Sequence, residues 1–578
     1  MMEYLLIDMY GMRGYLEAAV PKSLLLNFLS IGMLWCVFLI LSNRVWLANL
    51  LCGCTSGILA VINYYVVTLH GMPLSFLLLR NFKTAMNVIS SYSITVDRNV
   101  AFLLCLLACV VVLALVTKWF AKGKTQKLPW KTILLRDAVL AMVCVVVFYL
   151  GYLGKNPIKP KKTIGWGWQE AYCRHGYLPC TVETFFQSIS VIDKPDGYAP
   201  ETVDALEISD QSKEPASTPD VILILNESFS DLRQLMDIET DVPFLENIDH
   251  MDNLLRGYAI SPSAGGGTNS SEYEILSSNS LQLLPGVTPF NTLNLVNASS
   301  IVSNMNSLGY YTLGSHSEDA TNYSRITGYR DLQFQQIHFR EDFTDLTYHE
   351  DRPYASDTSL YNNLIRWYEE APTDRPRFLY MLTIQNHGDY LKSDDCYDLV
   401  HAINDFGDMT SSVNEYLTLI SQTDQAFKEL TAYFSQVERP VILCMLGDHN
   451  PSIVKTLVHG QDSAETNLLQ RKVPLLIWAN FPLEQQDLGT MSMNYVVPTL
   501  LDIAGVPLTP YYSYMLQLKE QVPILTAYGD YYDAQGNRYT YDSDEGAPYQ
   551  QAVDNYFYLE YENLQKNRNQ SLFEPYTK

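Results

Sequence analysis

Apolar positions follow two different patterns along the chain. In the first part they form long runs, over residues 23–41, 45–69, 99–120 and 132–153. A bilayer-crossing helix needs about 20 mostly apolar residues, so four membrane spans are expected. Residues 71–97 are mixed, with Arg80 and Lys83 among apolar neighbours, and read as an interfacial or partly re-entrant segment. Residues 1–22 are too polar for a span. They also lack the basic start, apolar centre and small-residue cleavage site of a secretory signal. From residue 219 short apolar runs alternate with longer amphipathic stretches. Strands are predicted over 221–225, 310–313, 378–384, 441–446 and 473–479, and helices over 358–370, 413–436 and 494–504. That alternation predicts a mostly parallel sheet covered by helices. The expected organisation is an α-helical anchor over 1–153, a linker over 154–218, an α/β domain over 219–530 and an extension over 531–578. There is no internal repeat and no low-complexity tract.

Charge divides the chain at the same place. Residues 1–161 hold 15 Lys+Arg and 5 Asp+Glu, although the whole 578-residue chain has a net charge of −24. The remainder is therefore strongly acidic, which argues against a general nucleic-acid binder, because phosphate backbones need clustered positive charge. Lys118, Lys122, Lys124, Lys127 and Lys131 lie between the third and fourth runs. Short loops rich in Lys and Arg stay in the cytoplasm, so everything after the fourth span is expected outside. The hairpin at 42–44 then falls inside, in agreement. The N-terminus falls outside despite Arg13 and Lys22, a mild conflict that an extra N-terminal span would remove.

Six of the ten cysteines lie in the apolar runs (Cys36, Cys52, Cys54, Cys105, Cys109 and Cys144) and read as small apolar packers. Cys173 and Cys180 lie just beyond the anchor, where a disulfide is permitted, and pairing and non-pairing are equally compatible with their spacing. Cys396 and Cys444 read as unpaired thiols.

Several predicted strands run into reactive residues. One leads to Asn226-Glu227-Ser228, one to Ser315-His316, one to Gln385-Asn386-His387 and one to Gly447-Asp448-His449. In open α/β sheets the ligand site lies beyond the carboxyl ends of the strands, so these residues are expected to converge. Residues 265–272 read Gly-Gly-Gly-Thr-Asn-Ser-Ser-Glu. The glycines let backbone approach a ligand closely, and a helix starting near Thr268 would favour an anion there. No Lys follows the last glycine, so the run is not a P-loop.

This ordered set resembles the lipoteichoic acid synthase and phosphoglycerol transferase family, within the alkaline phosphatase/sulfatase superfamily. Asn226-Glu227-Ser228 is similar to the family's first metal motif, and Gly447-Asp448-His449 to its closing one. Thr268 stands where the family has its nucleophile, and Glu272 matches the glutamate that follows. His316 and Arg325 resemble the pair that holds glycerophosphate, and Thr383-Ile384-Gln385-Asn386-His387 resembles the second substrate histidine. Tyr323-Ser324-Arg325 departs from an aromatic-Asn-Arg run, Glu318 stands near a common acidic position, and Asn450-Pro451 replaces a more usual Tyr-Gly-type pair. The resemblance implies a sulfatase-like (alkaline phosphatase-like) extracellular domain behind a multi-pass anchor in the cell membrane. It implies a metal held by Glu227, Thr268, Asp448 and His449, with substrate bound by His316, Arg325 and His387.

The implied activity is transfer of glycerophosphate from phosphatidylglycerol to a cell-envelope polymer or glycolipid acceptor through a phospho-threonine. A divalent cation on these ligands would lower the Thr268 hydroxyl pKa and polarise a phosphoryl oxygen. Oxygen ligands with one imidazole suit Mn²⁺ or Mg²⁺ better than a thiolate-type Zn²⁺ site. The family implies Mn²⁺, and the residues alone do not choose among the three. The main rival is a phosphoethanolamine transferase on the same scaffold. A sulfatase would need a Cys-x-Pro-x-Arg-type run, which the chain lacks. A non-catalytic membrane binding protein would be expected to lose Thr268 or a metal ligand, and none is lost.

Overall fold

The computed structural model describes residues 3–70, 73–74, 76, 97–121, 129–154, 158, 168–189, 192, 194–212, 218–284, 287–349, 352–388, 390, 399–458, 464–541, 547–566 and 568–576. The chain divides into two compact units, Met1–Val191 with Gly286–Thr292, and Ile192–Pro285 with Leu293–Lys578.

Among the described residues of the first unit, four helices are long and apolar enough to cross a membrane: Pro21–Ser42, Val45–Val67, Arg98–Phe120 and Trp130–Leu153. They match the four runs read from the sequence. Large apolar side chains such as Phe28, Leu41, Leu113 and Leu134 stay exposed on them, as expected where lipid replaces water. Asn43 separates the first two in a left-handed conformation (φ 52), one of the few residue types that adopts it readily. Tyr4–Ala18 is also helical, but at 15 residues it is too short to span. Within the stretch read as a linker, Trp168–His175 and Tyr177–Ile189 are helices. They carry Cys173 and Cys180, both buried and both thiols. Cys444 is a buried thiol in the other unit. Most of 71–97, the loop lysines 122, 124 and 127, and Cys396 lie outside the described residues.

The second unit is built on an eight-stranded sheet of order β4-β3-β5-β1-β6-β7-β2-β8. The strands are β1 (Asp220–Asn226), β2 (Leu254–Ile260), β3 (Tyr311–His316), β4 (Gln336–His338), β5 (Arg377–Leu382), β6 (Val441–Gly447), β7 (Lys472–Ala479) and β8 (Asp487–Ser492). Only β7 runs against the rest. β1 pairs in parallel with β5 and β6, and all seven of its residues are buried. A continuous apolar run covered on both faces is the mark of a central parallel strand. Helices Asp357–Glu370 and Thr410–Phe434 pack on one face through Leu360, Leu364, Tyr416, Ile420 and Phe427, against Ile222 and Ile224. A second, antiparallel sheet joins Ile524–Leu525, Asp530–Tyr532 and Arg538–Thr540.

The predicted strands appear within a few residues of their expected bounds. β2, β4 and β8 were not legible as strands. β2 is interrupted by Arg256 and Gly257, β4 has three residues, and β8 alternates between exposed and half-buried positions before its buried end. β3 runs on through Ser315 and His316, so His316 belongs to the strand end.

Candidate active site

Because β1, β2, β3, β5 and β6 run the same way, their carboxyl ends open on one edge of the sheet. Glu227 follows β1, and Asp448 and His449 follow the adjacent β6. Gly447 is required there, since a Cβ would lie 2.1 Å from the Phe229 carbonyl oxygen. The loop after β2 carries Gly265, Gly266 and Gly267, all at positive φ (61°, 124° and 95°). Glycine adopts such angles without a Cβ penalty. They deliver Thr268 as the first residue of helix Thr268–Ser277.

The structure brings all four predicted metal ligands together. One oxygen or nitrogen each from Glu227, Asp448 and His449 lies within 4.8 Å of the others, and all three residues are buried. Thr268 Oγ1 stands 3.4 Å from both Glu227 Oε2 and His449 Nε2. The His449 Nδ1–H donates to the Asn450 carbonyl at 2.9 Å, which turns Nε2 toward the cluster, 3.1 Å from Asp448 Oδ2. Asp448 Oδ1 accepts from the Ser228 and His449 amides at 2.7 and 2.8 Å, whereas buried Oδ2 has no hydrogen-bond partner among the described residues. Burial, then the Glu227 charge, pushes Asp448 up to about 6. Burial opposes a proton on His449, but Asp448 and Glu227 outweigh it and raise its pKa. Two buried carboxylates gathered on one imidazole nitrogen, with no Lys or Arg salt-bridged to either among the described residues, are a geometry that a cation completes. The donor set of carboxylates, one imidazole and a hydroxyl fits a divalent metal.

Neighbours of the ligands, one of them not singled out in the sequence, support them. Ser228, strained at φ 49, donates its hydroxyl to Glu227 Oε1 at 2.8 Å. Behind it, Asn226 donates to Asp357 Oδ2 at 2.9 Å and accepts from Asn386 at 3.0 Å. Asp357 is fully buried, and burial pushes it up to about 6. Asn226 and Asn386 were visible as strand-end polar residues, but nothing in their spacing revealed Asp357 as the partner of Asn226.

The predicted substrate residues form a second group. The His316 Nδ1–H donates to the Leu382 carbonyl at 3.1 Å. Burial, then the Arg325 charge, holds His316 well below the usual imidazole range. His316 is therefore neutral, with Nε2 as an acceptor. Arg325 is buried and donates Nε to Glu272 Oε2 at 2.7 Å. Tyr323 lies against it, with the guanidinium 5.1 Å from the ring centre. Glu318 is paired with Arg340. His387 is exposed on the loop after β5, its ring 4.8 Å from that of Tyr354. Its charge acts on both His316 and Glu318.

The Sulfatase family model matches residues 219–506, the stretch that carries every one of these residues. This part of the chain is a sulfatase-superfamily domain. A putative cyclic beta-1,2-glucan modification protein of Rhizobium meliloti is 24% identical over 430 residues, 71% of this chain and 65% of the relative. The capsular polysaccharide biosynthesis protein RkpI of the same organism is 24% identical over 235 residues, 40% of this chain and 41% of its own length. The chain thus spans less than two thirds of either relative. Among solved structures, the Streptococcus pyogenes phosphoglycerol transferase GacH in complex with sn-glycerol-1-phosphate has a TM-score of 0.54 at 19% identity. That match covers 67% of this chain and 100% of the GacH chain. The sulfatase-like domain therefore has a fold shared with a phosphotransferase.

Proposed function

We propose that the protein is a membrane-anchored, metal-dependent phosphoglycerol transferase. It takes glycerophosphate from phosphatidylglycerol and passes it to a cell-envelope polymer or glycolipid. The observation that carries this reading is the Thr268 hydroxyl, 3.4 Å from both Glu227 Oε2 and His449 Nε2 at the start of a buried helix. Mn²⁺ suits the ligand set, and a divalent cation there supplies an acidified hydroxyl and a polarised phosphoryl oxygen.

Thr268 Oγ1 attacks phosphorus in line. Glu227 and His449 would be committed to the cation, so the Thr268 proton leaves to solvent, which returns one to the departing diacylglycerol oxygen, and the free N–H groups of the helix start favour the charge that develops. The Oγ–P bond forms as the P–O bond to diacylglycerol breaks. An acceptor hydroxyl then forms its own O–P bond, and Thr268 regains its hydroxyl. Arg325 offers its guanidinium edge to the phosphate. His316, neutral with a bare Nε2, accepts from a glycerol hydroxyl, and His387 closes the site from the rim.

Headgroup choice follows from which acids are free. An ammonium needs a carboxylate, yet Glu318 is committed to Arg340 and Glu272 to Arg325. That favours glycerophosphate over phosphoethanolamine, the runner-up. The names of the Rhizobium relatives, a glucan modifier and a capsular polysaccharide protein, favour a saccharide-bearing acceptor. The basic loop 118–131 supports a domain outside the cell, so protease added to intact cells should remove it.

The test is the full chain with labelled phosphatidylglycerol or phosphatidylethanolamine, with and without Mn²⁺. Diacylglycerol should be released from the first lipid and Thr268 should carry the label. Arg325→Ala should impair that release severely. Equal release from both lipids, or a preference for the amine, would promote the phosphoethanolamine reading.

A further inference from the structure

Thr268 and Arg325 sit on different helices, and one side chain ties them together. Glu272 lies one turn after Thr268 on helix Thr268–Ser277 and has no solvent exposure. Its Oε2 accepts from Arg325 Nε at 2.7 Å, and its Oε1 accepts from the Tyr329 hydroxyl at 2.7 Å. Arg325 and Tyr329 are themselves one turn apart on helix Arg325–Asp331. Residues four apart share a helix face, so a pair on one helix meets a pair on the other. Among the described residues the guanidinium makes no other hydrogen bond, which leaves its two Nη groups to a ligand.

The turn leading into Arg325 is strained. Tyr323 (φ 53) and Ser324 (φ 57) are consecutive left-handed residues, and neither is glycine. Such residues persist where the surroundings over-determine them. The Glu272 carboxylate grips the residue immediately after that turn and the one a full helical turn later.

We propose that Glu272 is a positioning residue for phosphoryl transfer. It fixes the Arg325 guanidinium in one orientation relative to the Thr268 oxygen, so that the Nη groups meet the nonbridging oxygens as they gain charge. This rests on Thr268 being the nucleophile. A buried ion pair is often no more stabilising than apolar packing, so folding alone gives no reason to place a charged pair here. The negative partner also tempers the attraction of Arg325 for an anion before reaction. The effect therefore falls on kcat and not on substrate affinity.

The test uses the Mn²⁺-loaded full chain and bis-para-nitrophenyl phosphate, which reads phosphoryl transfer whatever the natural lipid. Calorimetric binding of inorganic phosphate provides a readout without turnover. Glu272→Gln should lower kcat by roughly a hundredfold, the scale of a misplaced catalytic group, with KM unchanged or lower and phosphate bound as tightly or more tightly. Tyr329→Phe should lower kcat about severalfold at constant KM. In an Arg325→Ala background Glu272→Gln should cost nothing further, because coupled residues are non-additive. A folded Glu272→Gln protein with wild-type kcat would overturn the proposal. So would a loss that adds in full to that of Arg325→Ala, or phosphate binding weakened as far as Arg325→Ala weakens it. If Glu272→Gln does not fold, wild-type kcat in Tyr329→Phe overturns it. Wild-type turnover in Thr268→Ala would instead sink the nucleophile reading, leaving Glu272 to be judged by the Arg325 cycle.

Discussion

Strand β1 has a buried carboxylate at each end, and the two are completed in opposite ways. Asp220, at its start, is saturated by the protein. Arg439 donates Nε at 2.9 Å and Nη2 at 3.1 Å, Tyr368 donates its hydroxyl at 2.8 Å, and the Arg377 amide donates at 2.9 Å. Just past the other end, Glu227 joins Asp448 and His449. Among the described residues no Lys or Arg forms a salt bridge to either carboxylate, and Asp448 Oδ2 has no hydrogen-bond partner. Both sites are equally buried. One is finished by arginines of the chain, and the other has a donor set that fits a divalent cation. Burial of charge is thus structural where the fold supplies the counter-charge and functional where it withholds it.

Breaking the open end should have the largest effect. Asp448→Ala or His449→Ala is expected to lower turnover by roughly a thousandfold or more, since metal-ion stabilisation is worth several kcal/mol. Circular dichroism should remain native. A folded variant of either kind with normal turnover would remove that residue from the metal site.

The closed end should answer in stability. Asp220→Asn leaves Arg377 and Arg439 without their carboxylate and should cost about 3 kcal/mol, read as a lower denaturant midpoint. An unchanged midpoint would mean that water or backbone carbonyls replace the carboxylate, and the contrast between the two ends would weaken.

The same change at the open end should have the opposite sign in metal-free protein. Burial, then Glu227, raises Asp448 from 3.8 to about 6. The folded state therefore holds this proton more tightly than the unfolded state does. The Asp448 contribution to stability falls as pH rises from about 4 to about 6, and stays low above that. Asn does not titrate, so metal-free Asp448→Asn should be the more stable protein above that window, by less than the Asp448 shift alone implies because His449 loses its carboxylate partner. Melting curves across that range decide it, and destabilisation at neutral pH would contradict the prediction.

The smallest effect is expected one residue away. Ser228→Ala removes the 2.8 Å bond to Glu227 Oε1 and should weaken Mn²⁺ binding about tenfold. Metal titration with unaltered affinity would show that Glu227 is oriented without Ser228.

Much of the fold was legible because its signals are local. The four spans are continuous apolar runs, and β1, β5, β6 and β7 are apolar stretches long enough to read as buried strands. β2 and β8 were not, because their burial depends on neighbours from distant parts of the chain. Arg256, within β2, was a particular obstacle, since it is accommodated by the carbonyls of Leu254 and Met251 and not by a hydrophobic environment. In the site, Glu227, Thr268, Asp448 and His449 were recognisable from motif order and strand ends. Asp357 was not, because it sits inside an otherwise ordinary helix start.

The sequence by itself determined the division into apolar anchor and acidic α/β domain, the order of the motifs and the residue types at the strand ends. Those properties lie in runs of neighbouring residues, where hydrophobicity, glycine freedom and side-chain chemistry act locally. Only the tertiary structure decided the partners. It gave Arg325 to Glu272 and Glu318 to Arg340, made His316 a neutral acceptor through the Leu382 carbonyl, and brought Asp448 and His449 to Glu227. Each of these joins residues far apart in the chain. Whether a buried charge is matched, neutralised or left open depends on the few ångströms around it, and that neighbourhood exists only once the chain has folded.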